Sequence, residues 1–147
     1  MRQHRDIAVC CVPPNKVGIV MRECQDTIAR GVALGDLDNM GDVIERLEDE
    51  NMQLWVILEG SEPVATFFTD INVEDDGGRF IGVFGLVGKH VMRWAGHLSG
   101  AMVAFAAAER CDRVMFMGRP GWARVLPEWR PVRRVGDEFV WERSVLQ

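Results

Sequence analysis

The amino-acid sequence predicts an α/β (α+β) domain, a mixed sheet with helices on its faces. Two observations carry that prediction. The stretch Phe80 to Trp129 reads as strand, helix, strand and a short turn into helix, and the first three make a parallel crossover unit. Ahead of it, three strand-like runs (53–59, 64–73 and 80–87) follow closely, divided by turn-forming residues.

Each element has its own reason. Ile7 to Val12 is a first strand, stopped by Pro13-Pro14. Asn15 stands where a helix N-cap belongs. Val17, Val20, Met21, Cys24 and Ile28 then form a helical stripe, with Gly31 as its natural stop. Gly31–Asn39 is loop-like. Asn39 with Asp42 resembles a cap, and Met40, Val43, Ile44 and Leu47 form a second amphipathic stripe that ends in Glu48-Asp49-Glu50-Asn51. Gln53–Glu59 and Val64–Val73 flank the turn Gly60-Ser61-Glu62-Pro63, and Glu74 to Gly78 turns the chain into Phe80–Val87.

From His90 onward Val91, Trp94, Leu98, Met102, Phe105 and Ala108 recur every three or four residues, one face of a helix. Val114–Gly118 is the next strand, and Arg119 to Trp129 turns into a short helix. Pro131–Val135 and Phe139–Val145 flank Gly136-Asp137-Glu138 as a closing hairpin. The predicted order is β-α-α-β-β-β-α-β-α-β-β, in a single domain over residues 1–147.

Composition bounds the function. A chain of 147 residues with 48% apolar and 27% charged residues is one globular domain with a core of its own. It has no uncharged apolar run of about 18 residues, so no membrane span is expected; the apolar part of Met1–Pro14 is too short for a secretory signal. Cys10, Cys11, Cys24 and Cys111 match neither zinc spacing nor a disulfide scaffold, and read as reduced, mostly buried thiols of a cytosolic-type compartment. His4, His90 and His97 supply no metal set. His90 and His97 either share a helix face or are two surface histidines.

The net charge of −5 hides an asymmetry. Residues 36–76 carry thirteen acids against one base, Arg46, while residues 110–147 carry eight arginines against five acids. A sustained basic footprint is missing, which argues against nucleic acid as the main ligand. The acidic belt either attracts a cationic substrate or partner or is a solvated face. The start of the central helix, near Val87 to Leu98, is where free N–H groups and the helix dipole would hold a phosphate. Arg119, at the carboxyl end of its strand, is either an anion contact or a structural arginine over Trp122 or Trp129.

The element order, with Arg93-Trp94-Ala95-Gly96-His97-Leu98 set at a suitable distance from Val87, resembles the GNAT superfamily of acetyl-CoA-dependent N-acetyltransferases over nearly the whole chain. In that family a Q/R-x-x-G-x-G/A loop opens the helix and takes the cofactor's pyrophosphate. Arg93 and Gly96 match it, and Leu98 replaces the final small residue. The resemblance implies acetyl-CoA as cofactor, with Val87, Lys89, Arg93, Gly96 and Arg119 as its binding residues. Gly96 has a second reading: with Gly100 and Ala104 it makes a small-residue stripe that would let the helix lie close on the sheet.

The catalytic pattern departs from the family. GNAT enzymes commonly follow the fifth strand with Asn, then Ala three later, then Tyr four after that. Alignment on Ala123 puts Pro120 and Pro127 at the Asn and Tyr positions, and the chain has no tyrosine. Cys111 and His97 are the substitutes at hand, though their spacing favours neither. Glu59, Asp70 and Glu74 are candidate bases or strand-end surface carboxylates, and a water is a further candidate. No catalytic residue is assigned.

Gly118 to Trp129 (GRPGWARVLPEW) resembles a GR-x-GW-x-x-x-L signature of divergent GNAT-like proteins from bacteriophages and prophages, some of them virion components. Two functions follow from the resemblances. One is a catalytically degenerate GNAT-fold component of a phage or prophage virion or tail, acting through a protein partner, a homo-oligomer or the particle itself. The other is an active N-acetyltransferase acting on an amine or a protein amino group; acyl-CoA binding without turnover lies between them. The places implied are the host cytoplasm or a phage particle. Trp55, Trp94, Trp122, Trp129 and Trp141 supply either a dense core or an aromatic contact surface.

Overall fold

The computed structural model describes residues 6–34 and 40–145. Its strands are β1 (Ile7–Cys11), β2 (Gln53–Glu59), β3 (Glu62–Val73), β4 (Arg79–Gly88), β5 (Arg113–Gly118), β6 (Arg130–Val135) and β7 (Glu138–Ser144). They form one mixed sheet in the order β1-β2-β3-β4-β5-β7-β6. Every neighbouring pair is antiparallel except β4 and β5. The crossover between those two is the 18-residue helix α4 (Val91–Ala108); here and below, helices α1 (Val17–Glu23), α2 (Gln25–Leu34), α3 (Met40–Glu48) and α5 (Trp122–Val125) keep chain order.

The period of two along each strand divides the core. Trp55 and Phe67 point to the α4 side, where they join Ile81, Trp94, Leu98 and Met102. Their neighbours Leu54 and Phe68 point to the other side, with Ile28, Val43 and Leu47 of the N-terminal helices. Cover on both faces explains why β3 is buried continuously from Val64 to Thr69. Four tryptophans (Trp55, Trp94, Trp129 and Trp141) are buried, so the aromatic residues build the core rather than a contact surface. Among the described residues no helix is long and apolar enough to cross a membrane.

The N-terminal third differs from the sequence expectation. The helix predicted after Asn15 is two, α1 and α2, parted at Cys24, whose backbone leaves the helical region. Asn15 lies in a 3-10 turn, Pro14–Lys16, instead of capping a helix. Gly31 does not stop the helix, because α2 continues through it. A Cβ on Gly31 would collide with the carbonyl oxygen of Gly85, so the glycine is needed where α2 crosses β4. Gly85 in turn has φ +63 and sits in a bulge: Thr66 pairs with Val87 but Phe68 pairs with Phe84, one residue more on β4 than on β3. The expected cap at Asn39, the 35–39 part of the loop and His4 lie outside the described residues.

Other expectations need smaller corrections. Gly96, Gly100 and Ala104 are exposed on the outer face of α4, and a Cβ on either glycine would meet nothing within 4 Å. They do not bring the helix close to the sheet. His90 is not on the helix face with His97: it precedes α4 in the left-handed conformation, φ 64. Cys24 and Cys111 are buried, Cys10 is half-buried and Cys11 is exposed.

The α2–β4 crossing gives a stability test. Gly31→Ala is expected to cost about 2 kcal/mol through overpacking against backbone. Gly18→Ala, in exposed α1 with open space around it, is expected to gain up to about 1 kcal/mol. Urea unfolding of the two variants reads both; equal effects would remove the close approach as the reason for Gly31.

Candidate functional site

The parallel pairing of β4 and β5 runs from Phe80–Arg113 to Val83–Phe116 and stops there. Beyond it β4 bends at Gly85 and stays with β3, while β5 continues against β7 to Gly118. The sheet therefore opens into a wedge at the carboxyl ends of two parallel strands, the place where open α/β sheets hold ligands.

In this chain the wedge is filled. Phe116, Trp122, Leu126 and Trp129 enter it from the β5 side and meet Leu86 and Leu98, leaving a cavity of about 10 Å³, no more than room for one water. The segment after β5 is built for this packing. Gly118 is bare because a Cβ there would lie 2.6 Å from the Trp122 ring and 2.8 Å from that of Phe116. Phe116 takes both tryptophans edge-on, with ring centroids 5.3 Å from Trp122 and 5.2 Å from Trp129. The Trp129 indole N–H donates to the Ser99 hydroxyl of α4 at 2.8 Å.

The head of α4 follows β4 closely. Only Lys89 and His90 separate β4 from the helix. The Lys89 N–H donates to the Val64 carbonyl, and the Lys89 carbonyl accepts from the buried Trp94 indole at 2.7 Å. With so short a connection, Arg93 to Leu98 lies within the helix itself, where the amide of Gly96 belongs to the helical ladder. The expected loop opening the helix is absent for this reason.

The residues named from sequence lie as follows. The Arg93 guanidinium donates to both carboxylate oxygens of Glu59, at 3.0 and 3.1 Å. Glu59 is only 8% exposed at the end of β2, so it is not the surface carboxylate that its strand-end position suggests. Lys89 pairs with Glu62 at 3.1 Å. Val87 is buried in β4. Gly96 lines a separate open groove of about 270 Å³ outside α4, with Ser99, Gly100, Pro127 and Arg143. Arg119 is exposed beyond β5; the cation–π contact among the described residues is Arg113 over Phe80, not Arg119 over a tryptophan.

No candidate for acid or base chemistry lines the wedge. Asp70 accepts from Arg46 at 3.2 Å and from Asn72 at 2.8 Å, and Glu74 pairs with Arg113. Cys111 is buried at the opposite, amino-terminal end of β5, and that burial pushes its thiol pKa up. His97, Pro120 and Pro127 are exposed. Among the described residues no group of three or more His, Cys, Asp or Glu is placed to hold a metal ion.

Two features escaped the sequence reading: the salt bridge of Glu59 and the aromatic filling of the wedge. The first carried no local signal, since Arg93 and Glu59 are 34 residues apart. The second was visible only as the GW…W spacing of Gly121, Trp122 and Trp129.

The ion pair can be weighed directly. Arg93→Ala would leave a buried carboxylate without its donor and is expected to cost about 1 kcal/mol, since the arginine itself is more than half exposed. Adding Glu59→Gln is expected to recover part of that loss. A double-mutant cycle in urea measures it, and strict additivity would show that the pair is not coupled.

No protein-family model and no curated protein matches the chain. Solved structures do. The NatC complex bound to Gag peptide and CoA aligns with a TM-score of 0.68 and 12% identity, over 97% of this chain and 99% of that one. A probable acetyltransferase from Staphylococcus epidermidis gives 0.67 and 11%, over 96% and 100%. An acetyltransferase of the GNAT family from Staphylococcus aureus Mu50 gives 0.60 and 10%, over 96% and 100%. At these identities the likeness concerns architecture, and it covers 96–97% of the chain: the protein has the GNAT fold.

Proposed function

We propose that this chain is a GNAT-fold protein that does not transfer acyl groups and that acts by binding another protein. The observation that carries the reading is the filled wedge. A bound small molecule ordinarily needs a pocket of about 300–1,000 Å³, whereas the space between β4 and β5 is about 10 Å³.

The residues at hand do not fit acetyl-CoA. Lys89 and Arg93, the cations nearest the head of α4, are both paired with acids of the β2–β3 hairpin. Arg93 to Leu98 offers helix where a pyrophosphate would need free loop amides. Pro120 and Pro127 bring no side-chain donor, and the chain has no tyrosine to protonate a departing thiolate.

The reading extends to a phage or prophage particle as the setting. Its support is the stretch from Gly118 to Leu126 that resembles the phage signature. Gly118, Trp122 and Leu126 of that signature are residues that form the plug, so proteins sharing the signature would share the filling. The alternative, an N-acetyltransferase, is favoured by the fold and requires Trp122 and Trp129 to leave the wedge.

Calorimetric titration with acetyl-CoA, with CoA as control, tests the reading. The expected result is no heat of binding up to millimolar ligand, in a sample whose unfolding transition shows that it is folded. Binding in the micromolar range, weakened by Arg93→Ala, would overturn it.

A further inference from the structure

Among the described residues, α1, α2 and α3 cover only part of the sheet face on which they pack. α2 packs on β3 and β4, and the core beneath these helices takes no residue from β5, β6 or β7. Phe116 and Trp141 belong to the α4 core. Alternation therefore turns their strand neighbours Met115, Met117 and Val140 to the uncovered face.

The register assembles a patch there. Met117 pairs with Val140, Val140 with Arg133, and Val135 with Glu138, and residues directly opposite share a face. Met117 is 53% and Val135 39% exposed, and neither belongs to either core. Arg130, on the same face, pairs with Glu142. No ion pair or side-chain hydrogen bond engages Arg133 among the described residues. The patch exposes Met117 and Val135 around the buried Val140, is edged by Arg130 and Arg133, and carries two acids, Glu142 held by Arg113 and Arg130 and Glu138 at its end.

The complementary surface is on the same chain. α3 buries Val43 and Leu47 and turns outward Ile44, 40% exposed, next to Glu45 and Glu48. Asp49 and Glu50 follow, and none of these four acids makes an ion pair among the described residues. An exposed isoleucine with Glu45 and Glu48 beside it thus faces solvent on α3. An exposed Met–Val strip edged by arginine does so on the β5-β7-β6 part of the sheet. The charges of the two regions oppose each other: thirteen acids against one base in residues 36–76, eight arginines against five acids in 110–147.

We propose that α3 of one copy docks on the uncovered β5-β7-β6 face of the next, so that the protein associates with itself head to tail. The two surfaces differ, so the contact is heterologous and builds rings or open chains rather than closed two-fold dimers. The inference holds whether or not the wedge takes a ligand.

Sedimentation velocity on the full chain tests it. Wild type is expected to form oligomers that grow with concentration at low salt and fall to monomer at high salt. Met117→Asp/Arg133→Glu alters only the receiving face and Glu45→Lys/Glu48→Lys only the inserted one. Each variant alone is expected to weaken association by about tenfold or more. Mixed together they are expected to associate again, since one native α3 and one native sheet face remain and the two charge-reversed surfaces complement each other. A wild type that is monomeric throughout, a variant that associates like wild type, or a mixture that does not associate would each overturn the proposal. Binding of poly-glutamate to a monomeric wild type would instead assign the basic face to a different, acidic partner.

Discussion

The parting of β4 from β5 beyond Val83 and Phe116 sets the terms for the rest of the molecule. It is produced by a bulge that needs Gly85 in the left-handed region, and that bulge is contacted by α2 through the bare backbone of Gly31. Once the strands separate, the α4 core would lie open at Leu86, Leu98 and Met102. Phe116, Trp122, Leu126 and Trp129 close it. Truncating a large buried aromatic typically costs about 3–5 kcal/mol, so an open wedge would carry a penalty of that order. Within the filling Trp129 donates to Ser99, and beside it Trp141 donates to the Gly118 carbonyl.

Charge reinforces the same geometry at both ends of the strand pair. At the paired end, Arg113 lies over Phe80 and joins Glu74 of the β3–β4 turn, Asp112 and Glu142 of β7. That network ties four parts of the sheet at the base of the wedge. At the parted end Lys89 and Arg93 are engaged too. The exposed Lys89–Glu62 pair contributes little to stability. Arg93 is different, because it neutralises a buried carboxylate, and moving it away would leave Glu59 uncovered. A ligand phosphate at the head of α4 would have to compete with that carboxylate for Arg93.

Much of this architecture was legible in the sequence, and the parts that were not have physical reasons. β2, β4, β5 and α4 could be read because apolar periodicity and glycine boundaries are local properties. The split of the first helix at Cys24 was hidden, since the stripe Val20, Met21, Cys24, Ile28 continues across it. Gly31 looked like a helix end because a glycine required by a distant backbone has the same letter as one required by a turn. Gly96 shows the reverse case: its spacing with Gly100 and Ala104 suggested packing, yet all three face outward. In the candidate site, the loss of tyrosine and the two prolines were plain, while the burial of Glu59 and the plug of the wedge depend on contacts between elements far apart in the chain.

The most direct measurement of the filled wedge is hydrogen exchange at the tryptophan indoles, followed by nitrogen-15 correlation spectra with and without acetyl-CoA. Trp129 is the decisive residue, buried and bonded to Ser99. The account predicts that its indole proton exchanges slowly and that neither its shift nor its exchange rate changes when acetyl-CoA is added. Fast exchange at Trp129, or a shift of the Trp122 and Trp129 signals that saturates with acetyl-CoA, would show that the wedge opens and would contradict the account.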